Sequence, residues 1–182
     1  MRCFGVVHVS IQHIIGTVAL IGLAISLALA YQIVVGYVEE NAIKTQLNQI
    51  AEYVSMSITN TISLTDFTYG VLSIGEAVSK RLNLPLDLSG KPYNITIVER
   101  GGRYYVHVSI VGRKDLYAES PITASSTHRI RIFAGGDLPE GLLEDSNIEP
   151  RVWVYGGSPN MVVWCHKAGD IIYVGLGLLT GG

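Results

Sequence analysis

IQHIIGTVALIGLAISLALAYQIVVGYV, residues Ile11–Val38, holds no formal charge, and none lies between Arg2 and Glu39. A buried helix of a globular core is shorter than this and keeps a polar stripe. An apolar run of ~18 or more residues reads as membrane-spanning, and about 28 residues at 1.5 Å each give ~42 Å. That exceeds a hydrocarbon core of ~30 Å, so such a helix tilts or serves a purpose beyond spanning. Gly16, Ala19, Gly22, Ala24, Ala28, Ala30 and Gly36 place small residues on several faces. Small residues let helix backbones approach closely, which suits helix-to-helix packing.

Beyond Glu39 the pattern turns amphipathic. Ile43, Leu47, Ile50, Val54, Ile58 and Ile62 recur every three or four residues, while Glu40, Lys44, Gln46, Gln49 and Glu52 fall on the other faces. One helix is therefore expected, unbroken from about Ile11 past Ile50. The Ser/Thr-rich run Ser55–Thr68 competes for backbone hydrogen bonds and predicts an end near Ile62. A second, short helix is expected from Tyr69 to Leu82. Ser73 and Glu76 have capping-box spacing, and Val71, Ile74, Val78 and Leu82 form an apolar face. Pro85 closes the helical part.

From there the period is two. Tyr93, Ile95 and Ile97 alternate with Asn94, Thr96 and Val98. After Gly101-Gly102, Tyr104, Val106, Val108 and Ile110 alternate with Arg103, Tyr105, His107 and Ser109, which predicts a hairpin. Strands are expected at Leu116–Glu119, His128–Phe133, Val152–Tyr155, Met161–His166 and Ile171–Leu179, the last two joined through Lys167-Ala168-Gly169-Asp170. Ala134–Pro150, with its glycines, prolines and acids, reads as a long loop with one turn of helix. The expected class is α+β: a long hydrophobic N-terminal helix, a short helix, then an antiparallel β-sandwich-like domain. The expected division is 1–63 for the helix and 64–182 for a β-rich globular domain, which should fold without the helix.

The 182 residues carry 13 Lys and Arg against 15 Asp and Glu, a net charge of −2, so no nucleic-acid partner is expected. The mean hydropathy of +0.35 comes largely from the first quarter of the chain. Arg2 before the apolar run and Glu39-Glu40 after it orient the N-terminus to the cytoplasm and the β domain outside. Cys3 and Cys165 then lie on opposite sides, too far apart for a bridge.

No phosphate-cradling glycine loop, paired-cysteine metal motif or nucleophile elbow is present, so no enzyme activity and no cofactor are expected. Cys165-His166, His107 and His128 suggest a metal site only weakly, because adjacent strand residues point to opposite faces. His8 and His13 read as helix-surface or helix-packing residues. Asn94-Ile95-Thr96 is a glycosylation acceptor triplet, and alternation turns Asn94 and Thr96 away from the core.

The order of a short basic start, an uncharged helix, an amphipathic continuation and a C-terminal β domain resembles that of archaeal type IV pilins. Ile15-Gly16-Thr17 and the aliphatic run after it are similar to the N-terminal helix of archaeal flagellins and pilins. Leu84-Pro85 through Gly90 to Tyr93-Asn94-Ile95-Thr96-Ile97 resembles the first strand region of such pilins. The resemblance implies an extracellular filament of identical subunits that serves attachment. The subunits would sit in the membrane before assembly and be handled by secretion and assembly machinery. Once exported they would meet a surface layer, a host or another surface. The family's precursors carry a basic residue and a Gly or Ala before the processing site, which Arg2-Cys3-Phe4-Gly5 matches loosely. Cleavage between Gly5 and Val6 and no cleavage both remain open.

In that reading the assembly helix is carried by Ile14, Ile15, Val18, Leu20, Ile21, Leu23, Ala24, Ile25, Leu27, Ala28, Leu29, Ile33, Val34 and Val35. The run meets lipid first and neighbouring helices later. Head-to-tail contact that closes no ring gives a helical polymer. The competing reading is a single-pass membrane protein whose outer β domain binds a partner or ligand as an accessory subunit of a surface machine.

Overall fold

The computed structural model describes residues 4–67 (side chains from His13 onward), 77–124, 126–136, 138–144 and 146–180. Helix α1 (Phe4–Phe67) is followed by strands β1 (Ala77–Arg81), β2 (Tyr93–Arg100), β3 (Arg103–Ile110), β4 (Arg113–Pro121) and β5 (Arg129–Ile132). The chain ends with β6 (Ile148–Arg151), β7 (Trp153–Tyr155), β8 (Met161–Ala168) and β9 (Ile171–Leu179). Two compact units meet at Ala42/Ile43. The amphipathic half of α1 thus belongs to the same unit as the strands, although the reading of the sequence put 1–63 apart from 64–182.

α1 is one uninterrupted helix of 64 residues, and Gly16, Gly22 and Gly36 do not break it. It also outruns its expected end at Ile62. The hydroxyls meant to unwind it are satisfied on the spot: Thr61 donates to the Ser57 carbonyl at 2.7 Å, Ser63 to Thr59 at 3.1 Å and Thr65 to Thr61 at 2.8 Å. Ser55 donates to the Pro121 carbonyl at 2.6 Å, tying the helix to the end of β4. Packing then overrides propensity. Ile43, Leu47, Ile50, Val54, Ile58 and Ile62 are all buried and belong to one core with both sheets.

The expected short helix over Tyr69–Leu82 needs correction. Ala77–Arg81 is a strand, paired antiparallel with β8 from Ala77↔His166 to Arg81↔Val162. Residues 69–76, with the supposed cap, lie outside the described residues. A segment as short as AVSKR has no period of its own to defend, and the edge of β8 decides it.

The first sheet has the order β1-β8-β9-β5, with β6 beside β5 along the same edge of β9. All its pairings are antiparallel except β5 with β9, which is parallel. The second sheet has the order β4-β3-β2-β7 and is wholly antiparallel. The β2–β3 hairpin turns on Gly101-Gly102, both at positive φ (58° and 73°), the conformation a two-residue primed turn demands.

The core has two layers of contact. Tyr93, Ile95, Ile97, Val106, Val108 and Ile110 of the second sheet meet the helix stripe and Met161, Val163 and Cys165 of β8. On the far side of β8, Val162 and Trp164 pack under Leu142, Ile148 and Phe133. The segment between β5 and β6 therefore covers the first sheet, which is why every residue from Met161 to His166 is buried. Trp164 lies over Gly175, where a Cβ would come within 2.7 Å of the indole, and its Nε1 donates to the Leu176 carbonyl at 2.9 Å.

Candidate functional site

In the N-terminal unit the apolar run has no cover. Every side chain from His13 to Glu39 is exposed. Ile14, Leu20, Leu27 and Ile33 are 62, 68, 62 and 73 % accessible. Ile15, Val18, Ile21, Leu23, Ile25, Leu29, Val34 and Val35 are likewise exposed, and so are Ala24 and Ala28. Burying one aliphatic side chain of this size is worth about 1.5–3 kcal/mol, so the run as a whole forgoes on the order of 20–40 kcal/mol in water. A folded domain's net stability is only about 5–15 kcal/mol. The helix is long and apolar enough to cross a membrane, by length and composition.

Two of its polar side chains suit a dry surrounding. Thr17 donates to the His13 carbonyl and Ser26 to the Gly22 carbonyl, both at 2.9 Å, so neither hydroxyl needs water. Open space surrounds Gly16, Gly22 and Gly36. The backbone is bare there, as close helix packing requires. Gly5 and Val6 fall in the first turns of α1; Cys3 lies outside the described residues.

Asn94 sits half-buried on the outer face of the second sheet, and its Oδ1 accepts a hydrogen bond from Ser109 at 2.6 Å. Thr96 donates to the Val152 carbonyl at 2.9 Å. Cys165 is buried and unpaired, and burial pushes its thiol well above the ordinary range. His107 Nδ1 meets Glu119 at 2.8 Å, whereas His128 Nδ1 meets Asp66 at 2.6 Å on the other sheet. No three candidate metal ligands converge among the described residues.

Sequence reading misses two clusters. Asp66 at the end of α1, His128 and Lys167 form a chain, with Lys167 Nζ 2.8 Å from His128 Nε2. The bond to His128, helped by Thr127, holds the Asp66 carboxyl down at about 2. Trp153, Tyr155 and Tyr117 form an aromatic surface on the second sheet. The alternation of Trp153-Val154-Tyr155 hints at it, but only the strand register brings Tyr117 to the same face. No protein family, curated protein or solved structure matches this chain.

Proposed function

We propose that the chain is a structural subunit of an extracellular type IV pilus-like filament that polymerises through residues 13–38 and serves surface attachment. The observation that carries this reading is the complete exposure of that run, on every face, in a helix whose next half is core. An ordinary membrane anchor needs apolar side chains all round but has no need of small residues on several faces or of ~42 Å of apolar length. Helix-to-helix packing in a polymer uses both.

In the membrane the run is solvated by lipid, and in the filament by the same run of neighbouring subunits. The hydrophobic difference between those states is small, so geometry and packing drive assembly. The sandwich-like β domain then lies on the outside of the filament.

Ala24 and Ala28, one turn apart, are the test position. Ala28→Asp should abolish extracellular filaments, because a buried unpaired carboxylate costs about 2.5–3.5 kcal/mol even on membrane-insertion scales. Ala28→Leu should reduce filaments while leaving membrane-held subunit unchanged, because overpacking blocks close approach. Microscopy of sheared cell-surface material, with immunoblots of membranes, measures both. Wild-type cells without filaments would exclude the reading and leave a membrane-anchored β domain.

A further inference from the structure

The outer face of the second sheet has a pattern that polymerisation through the helix does not explain. Register sets Tyr155, Asn94, Ser109 and Tyr117 side by side in one row, and Trp153, Thr96, His107 and Glu119 in the next. The residues between them along each strand face the core, so alternation sends both rows outward. Trp153, Tyr155 and Tyr117 are 51, 50 and 49 % exposed. Trp153 and Tyr155 meet edge to face with ring centroids 4.9 Å apart, and His107 stacks on Tyr117 at 5.3 Å. A cleft of about 460 Å³, lined by Arg151, Trp153, Tyr155, Ser158 and Leu178 among others, opens beside β7.

The acid in the two ring-bearing rows is paired, while Arg100 and Arg103 lie two rows away at the hairpin end of the same face and Arg151 reaches the cleft from β6 of the first sheet. Glu119 meets Arg100 at 2.9 Å and His107 at 2.8 Å, and Arg151 meets Glu149 at 2.7 Å. The two rows that hold the rings therefore present no uncompensated charge of their own to an ionic partner. At the cleft, β7 has only three residues and offers too little ladder for a peptide to add beside the rings. What remains are flat apolar rings beside hydroxyls, an amide and fixed charged groups. A sugar ring has the matching chemistry: one face of C–H groups that lies on an aromatic ring, and a rim of hydroxyls for polar partners. The four strands span ~14 Å from β7 to β4, room for a short oligosaccharide and more than one sugar needs.

We propose that this face binds a neutral oligosaccharide, with one sugar on Trp153 and Tyr155 at the cleft and the chain continuing toward Tyr117. This gives the attachment role proposed above a ligand class, yet it needs no polymer.

The test uses full-length protein, held as single chains in a zwitterionic detergent without a sugar headgroup. The chain has 2 tryptophans, and Trp164 is fully buried, so acrylamide quenching reports on Trp153. Cellohexaose, maltohexaose and chitohexaose are the neutral probes, with polygalacturonate as the anionic one. At least one neutral hexasaccharide should shield Trp153, equally at low and high salt. Tyr155→Ala and Tyr117→Ala should each weaken that binding about tenfold, while Met56→Ala on the helix leaves it unchanged. Unaltered Trp164 emission certifies the fold of each variant. No shielding by any neutral probe at about 10 mM would overturn the proposal. So would binding of polygalacturonate alone that salt abolishes, or shielding that grows with protein concentration in the absence of sugar, the sign of a second copy on this face. Filaments are scored separately by microscopy, so loss of sugar binding and loss of polymerisation are distinguishable results.

Discussion

Residues 13–38 and 43–65 belong to one helix, and both are rich in Ile, Leu and Val, yet the first exposes every side chain and the second buries a stripe. The difference lies in what stands between the aliphatic residues. In the second half Lys44, Gln46, Gln49 and Glu52 define a wet face, and the apolar stripe has two sheets to meet. In the first half no face is wet, so no single neighbour within one chain can satisfy it. Amphipathicity marks a helix that its own domain completes. Uniform apolarity marks one that only lipid or other chains complete.

The largest expected effect separates the halves by truncation. A fragment of residues 65–182 should fail to fold, because it lacks Ile43 to Ile62 and so loses on the order of 10 kcal/mol or more of core burial. A fragment of residues 39–182 should be soluble and unfold cooperatively, which circular dichroism during heating would show. Cooperative unfolding of 65–182 would break the comparison, since the stripe would then be an accessory to the β core. The expectation of a β domain independent of the helix is thereby revised by the burial of that stripe.

Where the sequence was legible, the local signal and the tertiary outcome agreed. The β2–β3 hairpin follows from strict alternation on both sides of Gly101-Gly102, and its pairs run from Tyr93↔Ile110 to Arg100↔Arg103. The helix through Gly22 and Gly36 follows from its unbroken apolar run. Legibility failed where a partner distant in sequence decides. β1 exists because the edge of β8 receives it. β6 is cut from a Gly- and Pro-rich stretch because the edge of β9 beyond β5 is open to it. The parallel β5–β9 pair has no local signature at all. As for the candidate site, composition alone marks the exposed run, whereas the aromatic face needs the register of four strands.

A smaller effect comes from one leucine in each half. Leu47 is fully buried and Leu27 is 62 % exposed. Leu47→Ala should destabilise the β unit by about 2–5 kcal/mol through transfer and cavity terms together. Leu27→Ala should leave that unit's midpoint in urea unchanged, because no core surrounds the side chain. Equal shifts from the two variants would show that residues 13–38 contribute to the same cooperative unit.

The smallest effect is a pH dependence at the C-terminal end of the buried half. Asp66 and Asp115 both have their carboxyls held down at about 2, the first by His128 and the second by Arg113. Their consequences differ because their partners do. Arg113 is two residues from Asp115, a pairing the unfolded chain retains in part, whereas His128 is 62 residues from Asp66 and is met only when the helix end docks against β5. A carboxyl with a depressed folded pKa stabilises the fold above its unfolded value of ~3.9, and that stabilisation is lost as pH falls through the folded value. Acid titration from pH ~5 to ~2 should therefore loosen the end of α1 first. Asp66→Asn should flatten the dependence of the urea midpoint on pH across that window, while Asp115→Asn should change it less. An equal flattening by both variants would mean that the helix end is no more tightly bound to the sheet than a surface hairpin is to itself.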